Sequence, residues 1–241
     1  MAKPRPNRHP VTLQWDTTKT TQAGAWEQKR RLADAMRLVL ERLVPSNAPE
    51  EELRLAAEGL ERYAEALQKH PRLKSIHGYP ESANAGDVGA FFDQSPFIGL
   101  ANPLAPPITI GKSGERTAVA TVTFGSAYEG APGCVHGGFV AGAFDEILGY
   151  VQSLSGKGGM TGTLTIRFRN PTPLHTELYC EAEITRIEGR KIFTAARLYA
   201  EDTLTAEADG IFISVDASKF EGLLEQREAL EARRRDPRAP R

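Results

Sequence analysis

The sequence predicts an α+β domain, an antiparallel sheet wrapped around one long apolar helix, with a helical extension before it. Three observations predict this. Gly133–Tyr150 (GCVHGGFVAGAFDEILGY) is long, almost continuously apolar and free of proline. Four strand-like runs follow it with only tight turns between them, and consecutive hairpins make an antiparallel sheet. Ahead of it, two segments carry apolar residues at three-and-four spacing, the period of an amphipathic helix.

Residues 1–25 are rich in Pro, Thr and Lys without sustained periodicity and read as irregular, pinned by Trp15. From Trp26 to Val44 the stripe Leu32, Ala35, Met36, Val39, Leu40 and Leu43 predicts the first helix, which Pro45 stops. Ser46-Asn47-Ala48-Pro49 followed by Glu50, Glu51 and Glu52 is a helix start, a polar cap with acids in the first turn. The second helix carries Leu53, Ala56, Ala57, Leu60, Tyr63, Ala64 and Leu67 and ends near His70-Pro71. Together the two form an αα-hairpin whose task is packing or oligomerisation, since no chemistry sits on it.

Residues 71–116 are loop-rich, with a short helix expected near 87–93 and a first strand or two near 97–110. The prolines of Asn102-Pro103-Leu104-Ala105-Pro106-Pro107 exclude a central strand there. Thr117–Phe124 alternates and is β-branched, a strand. After the apolar helix come strands at Thr161–Asn170, Thr176–Ile187, Lys191–Ala200 and Thr203–Val215, with a tight turn at Glu188-Gly189-Arg190. Leu164, Ile166 and Phe168 share one face of the first; Thr163, Thr165, Arg167 and Arg169 share the other. From Phe220 the interleaved Glu and Arg read as a solvated helix fraying into a tail.

Composition narrows the function. A net charge of -1 gives no basic field that would call for nucleic acid or an anionic membrane. No stretch approaches the ~20 apolar residues of a membrane span, and no secretory signal opens the chain. The two cysteines, Cys134 and Cys180, lack metal-ligand spacing, which fits a reducing compartment and a cytoplasmic protein.

The central helix carries the chemistry. His136-Gly137-Gly138 at its start would leave bare amide N–H groups beside the positive end of the helix dipole. Asp145 lies among Val140, Ala143, Phe144, Ile147, Leu148 and Val151, where a buried acid costs free energy unless it is used. Amides and acid together look like half of an acyl-transfer site: an oxyanion hole from Gly137 and Gly138, and Asp145 as general base or nucleophile. His136 and Asp145 are nine positions apart, roughly 12–13 Å at ~1.5 Å per residue, so one carbonyl cannot touch both the first-turn amides and the acid of the same helix. If they act together, the second comes from another copy of the chain, which predicts a two-fold dimer with antiparallel helices and two shared sites. Walker, dinucleotide and Gly-x-Ser-x-Gly patterns are absent, so an activated acyl substrate such as a thioester is favoured over an amide.

The pattern G-x-P-G-C-V-H-G-G-x-V-x-x-x-x-D, with M-T-G-T-L-T-I-R-F-R-N-P-T-P-L after it and the later E-G-R-K turn, resembles the hotdog-fold acyl-CoA thioesterases of the PaaI type, including their THEM-type branch. The resemblance covers roughly residues 90–215 and implies a hotdog domain at 86–217, between a helical extension at 1–85 and a charged tail at 218–241. It implies hydrolysis of acyl-CoA by a dimer or dimer of dimers, with coenzyme A as part of the substrate and no cofactor or metal. It gives Asp145 the catalytic carboxylate, His136 the orientation of loop and thioester, and Gly137 and Gly138 the oxyanion amide. Thr161 would hold the attacking water or the substrate. Arg167, Arg169, Arg190 and Lys191 would meet the CoA phosphates, and Asn102 would line the acyl end. The rival readings are a hotdog hydratase or dehydratase, which needs a His–Asp pair, and a non-catalytic acyl-CoA sensor.

Overall fold

A computed structural model describes residues 24–70, 93–215 and 226. The expectations for Trp15, the helix near 87–93, the charged tail and both domain boundaries lie outside, or almost wholly outside, those residues. Two helices open the described chain, α1 (Ala25–Leu43) and α2 (Glu50–Gln68). The strands are β1 (Thr109–Lys112), β2 (Thr117–Thr123), β3 (Gly159–Phe168), β4 (Glu177–Glu188), β5 (Lys191–Ala200) and β6 (Thr203–Ser214). The central helix, α3, runs Gly137–Ser153 between β2 and β3.

All strand pairs are antiparallel, in the order β1-β2-β4-β5-β6-β3. Leu178, Cys180, Ala182 and Ile184 of β4, Ile192 and Leu198 of β5 and Phe212 of β6 turn one face onto α3. From α3 they meet Val140, Phe144, Ile147, Leu148 and Val151. This is the hotdog fold, a sheet curled about one helix. The approach is close enough that β6 carries Gly210, where a Cβ would stand 2.6 Å from Thr194 Oγ1 and 3.2 Å from Leu148 Cδ1. Leu148 is fully buried. Leu148→Ala is expected to cost about 2–5 kcal/mol, read as a lowered denaturant midpoint at unchanged slope.

The first strand lies later than expected. Residues 93–108 are turns, and β1 begins at Thr109. Proline supplies no N–H for a ladder at Pro103, Pro106 and Pro107. The loop closes on itself instead, Ala101 N donating to Asp93 O at 2.8 Å and Gly99 N to Ser95 O at 3.1 Å.

The two N-terminal helices differ. α1 docks: Trp26 and Ala33 are buried, the Trp26 indole N–H donates to Asp93 at 2.6 Å, and Arg30 pairs with the same carboxylate at 2.6 Å. Arg37 donates to the carbonyls of Leu100 and Asn102, and Glu41 accepts from the Ser126 amide at 2.7 Å. α2 buries no residue, and leaves Leu53, Leu55, Leu60, Tyr63 and Leu67 exposed.

Candidate active site

The stretch leading into α3 is held from several sides. Val135 N donates to Thr172 O at 2.8 Å and His136 N to Tyr128 O at 2.8 Å. The Tyr128 ring stands edge-on to Phe124 and Phe139, and its hydroxyl donates to Leu104 O at 2.9 Å. His136 has extended backbone, and its Nδ1 accepts the Gly138 N–H at 3.0 Å, so the histidine is the N-cap of α3. That corrects one expectation. Gly138's amide is used by the cap, and Gly137's alone is left without an acceptor among the described residues. Over Gly137 lies Phe168 of β3, whose ring would stand 3.2 Å from a Cβ there.

Asp145 is exposed in the single chain, not buried as its apolar neighbours suggested. The reason is the helical turn. Val140, Phe144, Ile147, Leu148 and Val151 face the sheet, whereas Asp145 shares the opposite side with Gly138, Gly142 and Gly149, at spacings of three, four and seven residues.

Thr161 meets it there, its hydroxyl donating to Asp145 Oδ1 at 2.8 Å. Simple alternation counted back from Leu164 would put Thr161 on the sheet's outer face. A register shift between Thr161 and Thr163 leaves Gly162 as an extra residue, pairs Thr161 with core-facing Phe212, and so swings the threonine to the helix side.

The expected phosphate ligands divide into two groups. Arg167 and Arg169 lie far along β3 from Thr161, in cross-strand ion pairs with Asp209 and Glu207. Arg190 and Lys191 lie at the β4–β5 turn. Lys191 pairs with Ile213, which also pairs with Met160, so Lys191 stands two strand spacings, ~10 Å, from the start of β3. Arg190 donates to Ser214 O at 3.1 Å. Asn102 is not brought to this place. Its side chain donates to Gln94 O and accepts from Leu104 N, both at 3.0 Å, which makes it a turn former.

Sequence reasoning missed Phe97 and Ser95. A ring carbon of Phe97 occupies the space of a Gly142 side chain, 2.0 Å from where a Cβ would be. Ser95 Oγ accepts from Phe97 N and Ile98 N and donates to Glu146 at 3.1 Å. The signal available was Ser followed two residues later by Phe in a capping turn; nothing local tied either to α3. Among the described residues no group of His, Cys, Asp and Glu could hold a metal ion, and no helix is long and apolar enough to cross a membrane.

The pattern of the thioesterase superfamily matches residues 132–207, the stretch from the α3 cap into β6. Acyl-coenzyme A thioesterase THEM4 of Bos taurus is 36% identical over 107 residues, 44% of this chain and 44% of that protein. Acyl-coenzyme A thioesterase THEM5 of Homo sapiens is 31% identical over 103 residues, 42% of each. The matches thus span less than half the length of these curated relatives. A crystal structure of a thioesterase superfamily protein is similar with a TM-score of 0.69 at 31% identity, over 77% of this chain and 94% of that one.

Proposed function

The chain belongs to the thioesterase superfamily, and from that premise we propose that it hydrolyses acyl-CoA thioesters to a free acid and coenzyme A. The observation that carries the reading is the Thr161–Asp145 hydrogen bond at 2.8 Å, on the open side of α3. It orients one carboxylate oxygen and leaves the other for a water or an acyl carbon. Gly137's amide, at the positive end of the helix, takes the oxyanion that forms as the carbonyl is attacked. Because amide and acid are too far apart on one helix, we place them in one site across a two-fold axis, each copy lending Asp145 to its partner's Gly137. The exposure of Asp145 in a single copy fits that arrangement. Asp145 acts as base on water or as nucleophile; in either route water supplies the hydroxyl of the acid, the C–S bond breaks, and the thiolate leaves with a proton. Arg190 and Lys191 meet the CoA phosphates first, with Arg167 and Arg169, already paired to acids, contributing less. The unpaired cysteines suit a reducing compartment such as the cytoplasm.

The test is release of free thiol from short-chain, long-chain and aromatic acyl-CoAs, alongside the mass of the native particle. Expected are thiol release and a dimer or dimer of dimers. Hydration of an enoyl-CoA without thiol release would favour the hydratase, and binding without turnover the sensor.

A further inference from the structure

The geometry points to Phe97 as the wall that limits the acyl group, and to α1 as the clamp that holds it, so that the enzyme takes short or flat acyl groups. This rests on the thioesterase reading above.

Phe97 is half-buried, and its ring lies against α3 at Gly142, on the face that also carries Gly138 and Asp145. Gly142 lies one turn from Asp145, ~4.5 Å along the axis, and ~7.5 Å from Gly137. Halfway between Gly137 and Asp145 falls Ala141, so an antiparallel pairing of two α3 helices brings this point close to the two-fold axis. The two rings of such a pair therefore stand between its two sites, each ~4.5 Å along α3 from the site that its own copy's Asp145 completes. An acyl chain leaving the reacting carbonyl along α3 meets a ring within about one helical turn. An alanine in place of Gly142 would displace the ring from where it lies, so close is its contact with the helix.

A wall must be rigid to discriminate. Phe97's own amide is bonded to Ser95 Oγ at 3.1 Å, its carbonyl accepts from Ile108 N at 2.9 Å, and Ser95 bonds Glu146 of α3. The base of the loop is Asp93, wholly buried and gripped by Trp26 and Arg30 of α1. Arg37, two helical turns further on, takes the carbonyls of Leu100 and Asn102 at 3.0 and 2.7 Å. Three α1 side chains thus close on the ten-residue loop 93–102 that presents the ring. The helix to which the sequence assigns no chemistry acquires a task in specificity, with Trp26, Arg30 and Arg37 as positioning residues.

The experiment compares kcat/KM for butyryl-, benzoyl-, decanoyl- and palmitoyl-CoA in the full chain, the Phe97→Ala and Phe97→Leu variants, and Trp26→Phe, which keeps the aromatic packing but loses the N–H. Expected is preference of the unaltered chain for butyryl- and benzoyl-CoA. Phe97→Ala should raise the palmitoyl-to-butyryl ratio by about tenfold or more, and Phe97→Leu by less. Trp26→Phe should move the ratio in the same direction in the unaltered background and add nothing in the Phe97→Ala background, the coupling expected of residues acting through one contact. A role for Trp26 in stability alone would lower the melting point and leave the ratio where it was. An unchanged ratio in both Phe97 variants, with thiol still released, overturns this inference and leaves the thioesterase reading standing. Absence of thiol release by the unaltered chain from every thioester overturns both.

Discussion

Asp145→Asn should lower thioester hydrolysis by about 10²–10⁴-fold, the range for losing a positioned proton-transfer group, while the protein stays folded and its native mass is unchanged. The amide copies the carboxylate's shape and can still accept from Thr161 through Oδ1, so the geometry survives and the chemistry does not. An amide cannot take a proton from water or add as a nucleophile to the acyl carbon. The position is exposed in the single chain, so stability should move by no more than about 0.5 kcal/mol. The measurement is kcat by thiol release beside a thermal melt; full turnover in a folded Asp145→Asn protein would remove the acid from the mechanism. Thr161→Ala should be milder, since it loosens the acid without deleting it.

Mixing two inactive variants should restore activity. Asp145→Ala lacks the acid, and Gly137→Val sets bulk under Phe168 and over the amide, where even a Cβ would be 3.2 Å from the ring. If each site combines Gly137 of one copy with Asp145 of the other, a mixed dimer holds one intact site and one with both lesions. Random assortment makes half the dimers mixed, so about one quarter of the unaltered activity should return. Co-refolding the two variants and assaying thiol release reads this directly. Recovery indistinguishable from either variant alone would mean that amide and acid do not meet across copies, and the two-fold site would have to be abandoned.

Much of the scaffold was legible because periodicity reports burial. The apolar stripes located α1 and α2 to within a residue or two, β5 was bounded at Lys191 and Ala200, and the apolar run of α3 announced the helix that the sheet wraps. What the sequence hid depends on contacts between distant segments. Asp145 was read as buried because its neighbours are apolar, yet a helix shows different residues to different sides, and composition cannot say which side the sheet takes. Thr161's direction follows from an extra residue at Gly162, and a pattern of alternation has no means of announcing a skipped beat. The grip of Trp26 and Arg30 on Asp93 joins positions more than sixty residues apart, across a stretch with no periodic signal. His136 and Gly138 were recognised as a pair, but the cap that uses up one of the two amides is a matter of ring orientation.

β3 forms the margin of the sheet, with no strand beyond it among the described residues. A bare margin invites any passing extended segment to add on, the first step of pile-up into fibrils. The skipped beat at Gly162 bends this one, and Arg167 and Arg169 charge its far half. A stranger with a straight, apolar backbone would mismatch both. The irregularity that turns a threonine toward an acid therefore also makes this margin a poor template for promiscuous accretion, two consequences of one glycine.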